Sequence, residues 1–221
     1  MGGLGFLIAI SLYAALAIFV VWRTPKAWGK ALAVAAVILL PTADAWWGRH
    51  VTLPELCKDA GLKVFKKASK QDGMMVDDAL SATYKWTGQP SVRVLGYFGE
   101  EWITQDGFSF IEGRTYDGDT PRLSLVDGKV VRESKVTPKA KYVFVGWKEI
   151  PTAFGKNFGG SEMRIEDRQT GEVISQYRRY GFRGGWAERF LGGFADSGPQ
   201  GIGCTSSSVN ESAVLRQKTF E

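Results

Sequence analysis

The chain opens with two apolar runs separated by a short basic turn. Met1 to Trp22 holds no Asp, Glu, Lys or Arg, and Ala31 to Trp47 holds only Asp44. Between them lies Arg23-Thr-Pro-Lys26-Ala-Trp-Gly-Lys30. At about 1.5 Å per residue, the first run is long enough to cross a hydrocarbon core of about 30 Å. The second is shorter, and gains length if Lys30 snorkels outward and Trp46 and Trp47 lie at the interface. Pro25 and Gly29 suit a tight helix-to-helix connection, with Trp22 and Trp28 bracketing it. The pattern predicts a transmembrane helical hairpin over residues 1–48. A buried hairpin in a soluble protein is the alternative.

Beyond Arg49 the periodicity changes. Pro54 to Gly61 reads as a short helix with proline in its first turn and glycine at its end. Val76 to Trp86 reads as a second short helix or a loop. Period-two runs follow at Ser91 to Phe98 and Lys141 to Trp147. Asp106-Gly107 and Asp127-Gly128 are hairpin signals. Met163 to Glu166 and Glu172 to Tyr177 flank a third turn, with Gly171 placed for a left-handed bulge. Gly185 to Leu191 is long enough for one or two helical turns. The fold class expected is α+β. The hairpin precedes a mostly antiparallel β-meander of about six strands with short helices. The domain is expected over residues 49–204, and a loosely ordered polar tail over 205–221.

Charge sets the orientation. The turn carries Arg23, Lys26 and Lys30 and no acid, so it belongs in the cytoplasm, and the chain after Arg49 belongs in the periplasm. Lys58, Lys63, Lys66, Lys67 and Lys70 oppose this placement, but long domains translocate with little regard to such charge. Ala43-Asp-Ala45 also has the small-x-small pattern of a signal-peptidase site, and cleavage there would release a soluble domain. The chain has 28 Lys plus Arg against 23 Asp plus Glu. Setting aside residues 1–48 leaves 25 against 22, so the basic excess does not argue for nucleic acid. The two cysteines, Cys57 and Cys204, have no metal-type spacing. Outside the cytoplasm they are most simply a disulfide; two separate thiols are the alternative.

Candidate chemistry is sparse. His50 is the only histidine and has no Cys or carboxylate cluster of metal spacing beside it, so no triad, metal site or cofactor site is expected. Asp44 is an ionisable group at membrane depth, a functional candidate by default, with Arg49 its expected ion-pair partner. Asp117-Gly-Asp119 starts like a calcium loop, but Gly128 stands where the last acid ligand should be. Asp77-Asp78 and Glu100-Glu101 are adjacent carboxylates, which on a strand point to opposite faces. Tyr177, Arg178, Arg179, Tyr180, Arg183 and Trp186 interleave aromatics with arginines. Such a strand is a candidate interaction surface, or a strand with an aromatic core face and a solvated arginine face.

Leu39-Leu-Pro-Thr-Ala-Asp-Ala-Trp-Trp-Gly-Arg49 leads into Leu56-Cys-Lys-Asp-Ala-Gly-Leu-Lys-Val64. Later come Arg164-Ile-Glu-Asp-Arg-Gln-Thr-Gly-Glu-Val173, Gly184-Gly-Trp186 and Cys204. Together these resemble an uncharacterised group of small proteobacterial proteins with two transmembrane helices. The group shares an "LLP…D…GR…LC…AG" entry and a "DRxTGE…GGW…C" exit. The resemblance spans most of the chain and implies no activity. It sets Asp44, Gly48, Arg49, Cys57, Gly171, Gly184, Gly185 and Trp186 at motif positions, and adds weight to Cys57 pairing with Cys204.

The function expected is a membrane-anchored periplasmic binding or accessory module without catalysis. It would serve an envelope or mobile-element-encoded system, with membrane lipid and an envelope protein as partners and no nucleic acid. Two alternatives stay open. One is a carboxylate-only hydrolase acting on envelope glycan. The other is an anionic-lipid surface module using Lys63, Lys66, Lys67 and Lys70 with the Arg178–Arg183 stretch.

Overall fold

The computed structural model describes residues 2–77, 99–114, 120–153, 157–185, 188, 202–204 and 210–221. The chain divides into two compact units. The first is Met1–Asp59 with Pro151–Gly159 and Tyr180–Cys204; the second is Ala60–Ile150 with Gly160–Arg179 and Thr205–Glu221. The boundary expected after residue 48 therefore falls inside the first unit.

In the first unit the two apolar runs form α1 (Gly2–Arg23) and α2 (Ala27–Trp47). A π-helical segment, Gly48–Thr52, carries α2 directly into α3 (Leu53–Cys57). The stretches Ala27–Val37 and Thr42–Cys57 meet at a bend of 52°. Pro41 stands at this bend. It has no N–H to donate to the carbonyl four residues back, at Val37, which is the usual cause of a sharp kink. The Tyr13 hydroxyl of α1 donates to that freed Val37 carbonyl. Among the described residues no single helix is long and apolar enough to cross a membrane. The bent pair taken together passes on length and composition alone, and Ser11–Arg23 is a shorter apolar helix. The apolar runs are thus two helices, but two unbroken spans are not what the structure shows.

The second unit holds most of a large, mostly antiparallel sheet; Phe158–Gly159 and Tyr180–Phe182, the ends of two of its strands, fall in the first. Its strands are β1 (Gly61–Val64), β2 (Met74–Asp77), β3 (Phe110–Arg114), β4 (Arg122–Val126), β5 (Lys129–Glu133), β6 (Tyr142–Ile150), β7 (Phe158–Asp167) and β8 (Val173–Phe182). They lie in the order β1-β8-β7-β6-β2-β3-β4-β5. This corrects the simple meander, because β2 inserts between β6 and β3 and runs parallel to both. All four β2 residues are buried. A strand covered on both faces reads as a continuous apolar run, without the alternation that marks a half-buried strand. Asp106-Gly107 joins no hairpin. It follows α4 (Glu100–Thr104), where Trp102 and Ile103 are buried side by side, and Gly107 turns the chain at φ 75° toward β3. Glu100 and Glu101 therefore lie on a helix, not on a strand.

The other turns form where expected. Asp127 and Gly128 adopt φ 49° and 74°, the conformation of a type I′ hairpin, between β4 and β5. Gly171 has φ 70° in the turn between β7 and β8. There the Asp167 carboxylate accepts from Gln169 N at 2.9 Å and Thr170 N at 3.1 Å. These bonds, that to Thr170 foremost, hold the carboxyl below its ordinary pKa against the opposing effect of burial.

The polar tail is corrected in part. Glu211–Phe220 is a helix, α5, capped by Asn210, whose side chain accepts from Ala213 N at 3.2 Å. Leu215 and Phe220 enter the core formed with Ile111, Phe144, Met163 and Ile174. Thr219 meets Ser175 at 2.6 Å. Arg216, only 3% exposed, donates to Asp106 at 2.7 Å and stacks on Trp102 with Cζ 4.0 Å from the ring centroid. Burial pushes the Arg216 pKa down, and Asp106 opposes that shift.

Candidate functional site

The motif residues from the two ends of the sequence meet within the first unit. Gly48 begins the π-helical segment, and a Cβ there would lie 2.5 Å from Phe182 Cε2, at the end of β8. Past that strand, Gly184 turns the chain at φ 98°, a region that favours glycine. Gly185 then comes close to α2: a Cβ on it would lie 2.5 Å from Asp44 Oδ1 and 3.0 Å from Ala45 N. Two glycines at opposite ends of the chain thus permit one close helix-to-strand approach.

Glu188 ties this approach together. Its carboxylate forms an ion pair with Arg49 and accepts from Gly185 N at 3.0 Å. This corrects the expected pairing of Arg49 with Asp44. Five residues on a helix of about 3.6 per turn separate two side chains by roughly 140°, so the two do not share a face. Asp44 is directed at Gly185 and Arg49 at Glu188.

Below this junction Cys57 is bonded to Cys204, with Cα atoms 5.3 Å apart. A short strand, β9 (Ile202–Gly203), pairs with Phe182 and Gly181 and brings Cys204 into place, its N–H donating to Tyr180 O at 3.1 Å. The Tyr180 hydroxyl donates to Asp59 Oδ2 at 3.0 Å. Ala45, Leu53, Phe158 and Phe182 form the small apolar core around the bond. Gly48→Ala and Gly185→Ala are each expected to destabilise the chain by about 1–3 kcal/mol through overpacking. Scanning calorimetry of both variants, beside Gly181→Ala as a control whose Cβ would meet only an ordinary contact, Ile202 O at 3.6 Å, checks this. An unchanged Gly185→Ala transition overturns the close-approach account.

The interleaved aromatic and arginine stretch does not form one exposed surface. Tyr177 and Tyr180 are buried. Arg178 donates to Glu162 at 2.9 Å, and Glu162 also accepts from Arg164 at 3.1 Å. Arg179 stacks over Trp147 with Cζ 4.0 Å from the ring centroid and approaches Glu211 at 3.7 Å. Arg183 is exposed, its N–H bonded to Asn157 O at 2.7 Å. Trp186 lies outside the described residues, as do Asp78, Asp117, Asp119 and the run from Ser91 to Phe98. Tyr177, Tyr180 and Phe182 are buried, as on a strand with an aromatic inner face, while Arg178 and Arg179 are engaged by neighbouring side chains.

His50 lies against Trp46, with ring centroids 5.3 Å apart and planes tilted by 40°, and both are exposed. Lys66 pairs with Glu172 at 3.4 Å, and Lys67 donates to Lys218 O at 3.1 Å. Among the described residues no three His, Cys, Asp or Glu side chains come together as metal ligands.

Among the buried carboxylates that sequence reading did not single out, the most deeply buried is on β3. Glu112 on β3 is 0% exposed. It accepts from Arg122 Nε at 2.9 Å and Nη2 at 2.6 Å, and from the backbone of Lys139 at 3.1 Å and Ala140 at 2.9 Å. Through Lys139 and Ala140 the carboxylate holds the segment that enters β6.

No protein-family model matches the chain, and no curated protein does. Among solved structures it is similar to a PelC dodecamer from Paraburkholderia phytofirmans, with 13% identity, 62% of this chain and 88% of that chain covered, and a TM-score of 0.18. Likeness at that level carries no argument about fold or function.

Proposed function

We propose that the chain is an inner-membrane protein whose α1–α2 hairpin lies in the bilayer, with its turn in the cytoplasm and its disulfide on the periplasmic side. It acts there by binding, as an accessory module of an envelope system, without catalysis of its own. The observation that carries the reading is the outward aim of apolar side chains on both helices. Ile18 is 70% exposed and Trp22 73%, and Leu12, Leu16, Phe19, Leu32 and Leu39 are exposed as well. A helix pair built for a protein interior turns such residues inward, and a contiguous apolar surface of this kind marks contact with lipid or protein. The Tyr13 bond to the carbonyl freed by Pro41 supports the same reading, because backbone groups at membrane depth need a protein partner. The turn adds three cations and no acid. A disulfide persists in an oxidising compartment.

Alkaline phosphatase fused after Glu221 tests the placement. Activity is expected, together with retention of the full chain in the membrane pellet after alkaline carbonate extraction. Fluorescence from a reporter that matures only in the cytoplasm, or a chain released by carbonate, overturns it. The binding role is tested by crosslinking in intact cells followed by purification. Recovery of the same envelope protein in repeated preparations is the expected result, and no reproducible partner counts against it.

A further inference from the structure

Strand β5 ends the sheet. Among the described residues no strand pairs with its outer side. An open edge of this kind offers a row of main-chain donors and acceptors to another strand. The strand is exposed at Lys129, Val131, Arg132 and Glu133 and half-buried only at Val130. Val131 is 41% exposed, and Leu125 and Val126 are exposed beside it on β4.

The hairpin turn sets which groups are available. In a turn over Val126-Asp127-Gly128-Lys129, the Val126 carbonyl accepts from the Lys129 N–H. Lys129, Val131 and Glu133 therefore direct their main-chain groups to β4, and Val130 and Arg132 direct theirs outward. A second strand can pair only by setting outward groups on outward groups.

Charge then selects the partner. The strand reads Lys129-Val-Val-Arg-Glu133, with a cation at one end and an acid at the other. A parallel copy sets like charge on like. An antiparallel copy centred on Val131 sets Lys129 against Glu133 twice, Val130 against Arg132 twice, and Val131 against itself. A slip of two residues one way places Asp127 against Glu133. The same slip the other way places Arg132 against Arg132 and Lys129 against Lys135. Like charges directly opposite are destabilising, and opposite charges and apolar pairs are favourable. Lysine on an edge strand ordinarily guards it against pairing. Here the acid four residues on makes that guard selective for one partner.

We propose that two copies of this chain associate through β5, antiparallel, in the register that sets Val131 on Val131. The proposal does not rest on the membrane placement. Residues directly opposite at a pair without mutual hydrogen bonds have close side chains, within reach of a disulfide. Among the described residues there is no free cysteine, so an introduced thiol reports on its own position. Under mild oxidation of the full chain in non-ionic detergent, Val131→Cys is expected to form a covalent dimer and Val130→Cys is not. By light scattering the unmodified chain is expected at twice the mass of Lys129→Glu. Adding Glu133→Lys to that variant restores the doubled mass. Glu133 approaches Arg122 at 3.6 Å, but Arg122 keeps its 2.6 Å contact with Glu112, so the variant remains folded. A monomeric unmodified chain, equal crosslinking at positions 130 and 131, or a charge-reversed pair that stays monomeric overturns the proposal.

Discussion

Cys57→Ala with Cys204→Ala is expected to lower the urea midpoint of unfolding by about 2.5 M. The bond joins residues 147 apart in sequence. In the chain-entropy model a loop of that length removes enough freedom from the unfolded ensemble to stabilise the fold by about 5 kcal/mol. A domain of this size loses roughly 2 kcal/mol per molar urea, which converts that figure into the midpoint shift. The local setting adds to the effect. Cys57 closes α3 and Cys204 follows β9, and both pack against the core of Ala45, Leu53, Phe158 and Phe182. Alanine therefore removes packing as well as the link. Reducing the unmodified chain breaks the link and leaves the sulfur atoms in place. The difference between the two melts separates chain entropy from packing. Equal midpoints for oxidised and reduced chains would show that the unfolded ensemble already holds those ends together.

What could be read from sequence follows the range of the forces involved. Asp127-Gly128 and the Asp167–Gly171 turn were legible because a positive φ and a side-chain cap are properties of a few adjacent residues. The cysteine pairing was legible by count. The insertion of β2 was not, because a parallel neighbour lies far away in sequence and its short run, Met74-Met75-Val76, carries no period. Helix α5 gave a signal that a polar composition hid: Asn210 at the cap, with Leu215 and Phe220 on the buried side. In the candidate site the glycines and cysteines stood out, but Phe182 and Glu188 did not. Nothing local marks a phenylalanine as the ring that excludes a Cβ at position 48. The same holds for Arg178, whose partner Glu162 lies on the neighbouring strand.

Glu112 presents the same problem at greater energetic cost. Glu112→Leu is expected to destabilise the chain by about 3–5 kcal/mol, the usual range for breaking a buried ion pair. Arg122 is left with its side chain 13% exposed and its closest acid gone, while the Lys139 and Ala140 amides lose their acceptor. The variant Glu112→Leu with Arg122→Leu separates these two contributions. Replacing both members of a buried pair by apolar residues is often close to neutral. The buried Ala140 amide, left without an acceptor, still costs about 1–3 kcal/mol. Full recovery in the double variant assigns the energy to the charge pair. Recovery of about half assigns the rest to the backbone of residues 139–140, which the carboxylate holds at the entry to β6. The second result is expected, since Glu112 Oε2 is 2.9 Å from Ala140 N and Ala140 is fully buried. A double variant no more stable than Glu112→Leu alone would leave the arginine no share in the stability, and the carboxylate would then act as an acceptor for the main chain alone.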